Sequence, residues 1–323
     1  MRRAVLPWLV ALGAALLLGA IAVVALNATL FGAGGFVRVY LDAIARADAT
    51  GALEVPGVRA DDLDAQLLDD DALAGLDSVE VVADVELPSG QHLVTARWTA
   101  GERSGSTEFV VERTGTRFGL FPDWGFAQSP ITSMSLAVLH DPRFTVNGYA
   151  AESTLSSDDP VDYALPAPGV YVLDHESRFL EAEAVTVVAE EAGGAEAAEL
   201  DIRANEAFVE QVQSEVDAHL DECAEQRVLF PSGCPLGREI ENRVVSEPQW
   251  SIVDYPAVSV VATPTFGEWE VPTAFATAHL VVDVQSLFDG RITTLDEDMT
   301  VPLRYRITIE PGDSELRITA VYD

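Results

Sequence analysis

The sequence contains no lysine. All 19 of its basic residues are arginine, set against 53 aspartates and glutamates, for a formal net charge of −34. The missing ammonium group excludes several chemistries. A Walker-type nucleotide loop needs a lysine on the phosphates. Penicillin-binding chemistry needs a Ser-x-x-Lys pair, and Schiff-base catalysis needs the amine itself. A chain this acidic repels nucleic acid, so none is expected as a partner.

Cysteine is almost absent as well. Cys223 and Cys234 are the only two, with ten residues between them. An isolated pair at this spacing predicts one disulfide, worth roughly 2–3 kcal/mol in the chain-entropy picture. Pro231, Gly233 and Pro235 supply the turn. A zinc site needs more ligands at closer spacing, and no histidine lies between or just after the two cysteines. The five histidines, His92, His140, His175, His219 and His279, are scattered with no His-x-x-x-His pair. His175 reads as part of a polar loop. The nucleophile elbow Gly-x-Ser-x-Gly is missing, because Gly101-Glu102-Arg103-Ser104-Gly105 carries its serine one place late. Ser232-Gly233-Cys234 faintly echoes the Ser-His-Gly-Cys loop of L,D-transpeptidases but lacks the histidine. The sequence therefore predicts no catalytic, cofactor-binding or metal-ligating residue and no cofactor. Trp98, Trp124, Trp250 and Trp269 are candidates to line a carbohydrate or peptide cleft, with core packing the expected role of Trp98.

What is present begins at the N-terminus. Arg2 and Arg3 precede an uncharged stretch from Ala4 to Val37 that is apolar through Leu26. Such a run suffices to cross a hydrocarbon core of about 30 Å and exceeds the core of a cleavable signal peptide. It predicts a transmembrane helix over 8–31, with a cytoplasmic tail over 1–7 set by the two arginines. The expected location is the plasma membrane, with a single pass and the later domains extracytoplasmic.

Beyond it, Phe36, Tyr40 and Ile44 mark a helix that Gly51 and Pro56-Gly57 end. Asp61, Asp62, Asp64 and Asp69 to Asp71 do not match a calcium loop, and Leu63, Leu67 and Leu68 predict a short amphipathic helix. Alternation then predicts strands at 79–87, 93–99 and 107–113, and a fourth near 118–121. Asn147-Gly148 predicts a hairpin with a type I′ turn. Residues 190–196 read as a linker. Leu200, Ala204, Phe208, Val212, Val216 and Leu220 predict a long helix over 197–223. Two further strands close the chain at 301–310 and 316–322.

This order predicts an α+β fold in which two helix-plus-antiparallel-meander domains, 36–127 and 196–323, flank a small all-β module at 128–190. The stretch from Phe36 to Leu53, with the strands ending at Phe121-Pro122-Asp123-Trp124-Gly125-Phe126, resembles extracytoplasmic domains of actinobacterial single-pass membrane proteins. The resemblance implies a cystatin-like or nuclear-transport-factor-like cone. Val146-Asn147-Gly148 with Leu165 to Tyr171 resembles a PEGA-type β module. The whole order is similar to the teicoplanin-resistance-associated membrane protein family, without its cytoplasmic zinc ribbon. The expected function is a membrane-anchored, non-enzymatic envelope protein that binds a protein, a cell-wall polymer or a small ligand. The alternatives are a cell-wall-modifying hydrolase or transpeptidase and a structural subunit of a membrane complex.

Overall fold

The computed structural model describes residues 12–24, 31–117, 119–155, 158–310, 312–313 and 315–321. Strands take 47% of the chain and helices 18%, so the fold is mostly β. The expected α+β, cystatin-like class is thereby corrected. The physical reason lies in long period-2 segments, above all at 268–285, that the sequence reading did not count as strands.

Helix α1 includes residues 12–24. Among the described residues no helix is long and apolar enough to cross a membrane. This corrects the expected transmembrane helix over 8–31 and the single-pass plasma-membrane placement derived from it. Residues 1–11, which include the expected cytoplasmic tail, and 25–30 lie outside the described residues.

The next segment builds α2 (Ala33–Ala45) and α3 (Ala49–Leu53) over a four-stranded antiparallel sheet, β1 (Ser78–Glu86), β2 (His92–Ala100), β3 (Arg103–Arg117) and β4 (Phe121–Phe126). The buried stripe of α2, Val37, Tyr40, Leu41 and Ile44, faces the inward residues Val94, Ala96, Phe109 and Val111. No helix forms over 63–68. A 3-10 turn at Asp70–Ala72 stands nearby instead. The chain there is used otherwise: Asp64 exchanges backbone hydrogen bonds with Asp162 and Ala164, and Asp70 Oδ1 accepts from the Ala49 amide at the start of α3.

Two small sheets follow. One is β11 (Ala195–Asp201), β5 (Ile131–Leu139) and β8 (Val161–Pro166). The other is β12 (Arg203–Ala204), β10 (Leu180–Ala189), β9 (Gly169–Glu176), β6 (Arg143–Val146) and β7 (Tyr149–Glu152). Phe144 of β6 packs edge-on against Tyr163 of β8 at 5.8 Å. The β6–β7 hairpin turns at Asn147 and Gly148, both with positive φ, as the Asn-Gly pair requires. Residues 190 and 191 do not form a loose linker. The Glu190 carbonyl accepts from Thr107 Oγ1, which in turn accepts from Trp98 Nε1, and the Glu191 carbonyl accepts from Thr132 Oγ1.

The long helix is shorter than expected. α4 spans Glu206–Glu225, capped by Asn205, whose side chain accepts from the Phe208 amide. Leu200 and Ala204 of the predicted stripe lie in strands, because 195–201 pairs in parallel with β5 and Ala204 pairs with Leu180 of β10. α4 packs Phe208, Val212, Val216 and Leu220 towards a third region. There β16 (Glu268–Gln285) and β17 (Ile292–Ile309) form a ribbon flanked by β13 (Arg243–Val244), β14 (Gln249–Asp254), β15 (Val261–Ala262) and β18 (Leu316–Ala320). One continuous core of buried residues runs through all of these elements.

The corner between β8 and β9 shows how the parts are tied. The Tyr40 hydroxyl on α2 donates to the Ala167 carbonyl at 2.9 Å, and the Tyr171 hydroxyl on β9 to the Pro166 carbonyl at 2.7 Å. Burial raises both phenol pKa values well above the usual tyrosine value, so both stay protonated donors. Removing one hydroxyl leaves a buried carbonyl without its partner, which costs about 1–2 kcal/mol. Tyr40→Phe is expected to lose that much stability in urea unfolding, with the slope unchanged. A loss below a few tenths would show that the bond carries nothing.

His175 corrects another expectation. It lies buried on β9 rather than in a polar loop. Burial pushes its pKa below the usual histidine value and the Arg143 charge acts in the same direction, while Asp141, a hydrogen bond to the Arg143 backbone and Asp313 oppose them. The unfolded chain therefore binds more protons just below pH ~6.5 than the folded one, and stability falls as pH drops through that window. The thermal midpoint is expected to fall between pH 7.5 and 5.5, and less steeply in His175→Gln. Equal slopes in the two proteins would refute this origin.

Candidate functional site

Two adjoining clefts open where α2, α3 and the β3–β4 end of the first sheet meet. The larger, about 690 Å³, is lined by Phe31, Phe36, Val39, Val55, Pro56, Pro122 and Trp124, with Glu54, Thr114, Arg117 and Asp123 as its polar groups. The smaller, about 410 Å³, is lined among others by Asp84, His92, Arg113, Thr116 and Phe121. Gly32, Pro122 and Trp124 belong to both.

Each wall has a local cause. Phe36 and Val39 lie on α2 beside its buried stripe, and Val39 remains 61% exposed. The α3 side is joined to β4 at Gly57, whose φ is +88°. There the Phe126 amide donates to the Pro56 carbonyl at 2.9 Å. A Cβ on Gly57 would lie 2.4 Å from the Phe126 carbonyl oxygen and 2.5 Å from its nitrogen. Glycine is thus required twice, for the backbone angle and for the close approach.

Trp124 divides the clefts. Its Nε1 donates to the Phe31 carbonyl at 2.9 Å, and the Phe31 ring lies 4.4 Å from Phe121. The Arg113 guanidinium lies 5.3 Å from the Trp124 ring centre, within cation–π range. The His92 ring meets the same indole edge-on at 4.8 Å. Trp124 is therefore a wall between cavities, not an open stacking platform.

Asp84 and His92 sit diagonally across the β1–β2 hairpin, since His92 is registered with Glu86. His92 Nδ1 lies 2.6 Å from Asp84 Oδ1. The other carboxylate oxygen accepts from the Gly34 amide at 3.1 Å, in the first turn of α2, where a negative charge meets free N–H groups. The tautomer that satisfies this contact donates from Nδ1–H to Asp84 Oδ1. Nε2 is left as a buried acceptor with no hydrogen-bond partner among the described residues. Such a dyad has the form of a general base. Among the described residues, the hydroxyl-bearing side chains lining the clefts are those of Thr114 and Thr116, and Cys223 and Cys234 are bonded to each other.

Of the sequence candidates, Trp124 alone reaches these clefts. Trp98, Trp250 and Trp269 are buried core residues. Cys223 and Cys234 form the expected disulfide, with a Cα–Cα distance of 5.7 Å, and line neither cleft. From the sequence, Phe36 reads only as a helix-stripe residue and His92 only as one of five scattered histidines, while Asp84, Arg113 and Val39 are not named as site residues. The signal for the dyad was an aspartate and a histidine placed around the Pro88-Ser89-Gly90 turn on strands of alternating pattern. Comparison of the chain with family models, curated proteins and solved structures returns no match.

Gly57→Ala is expected to cost about 3 kcal/mol, combining the positive-φ penalty with the backbone clash. Gly90→Ala has a similar φ but open space around it, and is expected to cost about 1 kcal/mol. Equal losses in chemical denaturation would show that the approach to Phe126 is not constraining.

Proposed function

We propose that this chain is a non-enzymatic binding protein that takes a small amphipathic ligand in the Trp124 clefts. The observation that carries the reading is the joining of an apolar cleft, about 690 Å³, to a second one lined by His92, whose buried Nε2 has no hydrogen-bond partner among the described residues. Ligand sites commonly combine apolar walls with a few convergent polar groups in this size range. The ligand's apolar body would lie against Phe36, Val39 and Pro122, and a hydrogen-bond donor on it would face His92. Arg117 and Asp123, paired at 3.4 Å and partly exposed, offer a polar rim.

A second reading, a subunit of an assembly, is favoured by the tip of the β16–β17 ribbon. Leu287 is 75% and Phe288 99% exposed there.

N-Phenyl-1-naphthylamine, a neutral aromatic probe with one N–H, separates the two. The small-ligand reading expects saturable one-to-one fluorescence enhancement, weakened by at least about tenfold in Val39→Glu, which sets a charge in an apolar wall. Phe288→Ser is expected to bind the probe like the wild type. Absence of saturable binding, or equal binding by Val39→Glu, sinks the reading.

A further inference from the structure

His219 and Cys223 stand four residues apart on α4 and so share one face. The loop after α4 returns Cys234 to that face. The candidate donor atoms of the three residues all lie within 4.8 Å of one another. In this structure the two sulfurs are joined as a disulfide and cannot act as thiolate ligands. The imidazole is positioned at both nitrogens. Nε2 lies 2.9 Å from the carbonyl of Gly233, the neighbour of Cys234, and Nδ1 lies 2.9 Å from the Tyr305 hydroxyl on β17.

We propose that reduction of the Cys223–Cys234 bond turns this corner into a zinc site, with Zn²⁺ held by the two Sγ atoms and His219 Nε2. The inference is independent of the small-ligand reading. A dithiol or phosphine reductant supplies two electrons to the disulfide, and two protons from solvent complete the thiols. Zn²⁺ displaces both thiol protons and forms two Zn–S bonds and one Zn–N bond. The remaining imidazole proton moves to Nδ1, where the Tyr305 oxygen accepts it. That is the outer hydrogen bond by which metal-bound histidines are oriented. Water takes the fourth tetrahedral position.

Three observations support this assignment. Zn–S bonds of about 2.3 Å and Zn–N bonds of about 2.0–2.1 Å place tetrahedral donors roughly 3.5–3.8 Å apart; the three donor atoms already lie within 4.8 Å of one another, and the two sulfurs have only to separate from bonding distance once the disulfide is reduced. Cys234 is partly exposed, so a reductant can reach the bond. The chain's net charge of −34 also favours a cation over an anion.

The test uses the full chain reduced with a phosphine and titrated with Co²⁺, then with Zn²⁺. One equivalent of Co²⁺ is expected to give thiolate-to-metal charge-transfer absorption, which Zn²⁺ abolishes. The oxidised chain is expected to give none. His219→Gln keeps a donor towards Gly233 but removes the ligand, and is expected to weaken binding by at least about tenfold. In parallel, Zn²⁺ is expected to raise the thermal midpoint of the reduced wild type only. Absence of the charge-transfer band overturns the proposal, as does equal affinity in His219→Gln. Loss of α4 on reduction with no response to Zn²⁺ overturns it too.

Discussion

Two phenols meeting two carbonyls hold the centre of this molecule. Where the chain passes from β8 into β9 it leaves one small sheet for the other. At that corner Tyr171 Oη serves Pro166, and Tyr40 Oη serves Ala167 across 127 residues of chain. The second bond reaches from a helix of the first sheet into the middle of the fold. A buried carbonyl left unpaired costs more than a hydrogen bond gains, so the bond specifies where α2 must lie. Phe36 and Val39 are on the same helix. Their placement beside Trp124 is a consequence of what Tyr40 does one turn further on.

The cleft region shows side chains serving structure and leaving chemistry behind. Asp84 anchors the first turn of α2 through Gly34 and orients His92 through Nδ1. Both roles are structural. Together they leave a histidine nitrogen buried beside an indole with its lone pair unused. In a largely apolar setting such an acceptor favours a partner that brings a donor, because an unmade bond is costly there.

The α4 region is organised differently. Its helix is held to its loop by a covalent bond, and His219 connects that loop to β17. Cation-binding residue types are plentiful along the chain, yet the carboxylates of Asp64, Asp69 and Asp70 are engaged with the backbone amides of Gln66, Asp71 and Ala49. Among the described residues only the His219–Cys223–Cys234 group brings three donors together. Composition supplies many carboxylates, but their spacing matched no metal site. The position of a helical turn relative to a loop pointed elsewhere.

Local pattern was legible where one face of an element meets the core. The stripe of α2, the alternation of β1 to β3, the Asn147-Gly148 turn and the isolated cysteine pair are all written in residue spacing. Spacing failed where a distant partner decided the outcome. Leu200 fits a helical stripe, but pairing with β5 draws 195–201 into a strand. Leu63 to Leu68 fits a helix, but backbone bonds to Asp162 and Ala164 hold Asp64 extended. The dyad of Asp84 and His92 and the convergence of His219 with both cysteines depend on register across a hairpin and on the return of a loop. Residue order thus determined local periodicity, the acidic surface and the absence of lysine chemistry. The mostly β architecture, the clefts and the clustered donors came from long-range pairing, because backbone hydrogen bonds and buried area between remote segments outweigh the weak preferences of any one segment.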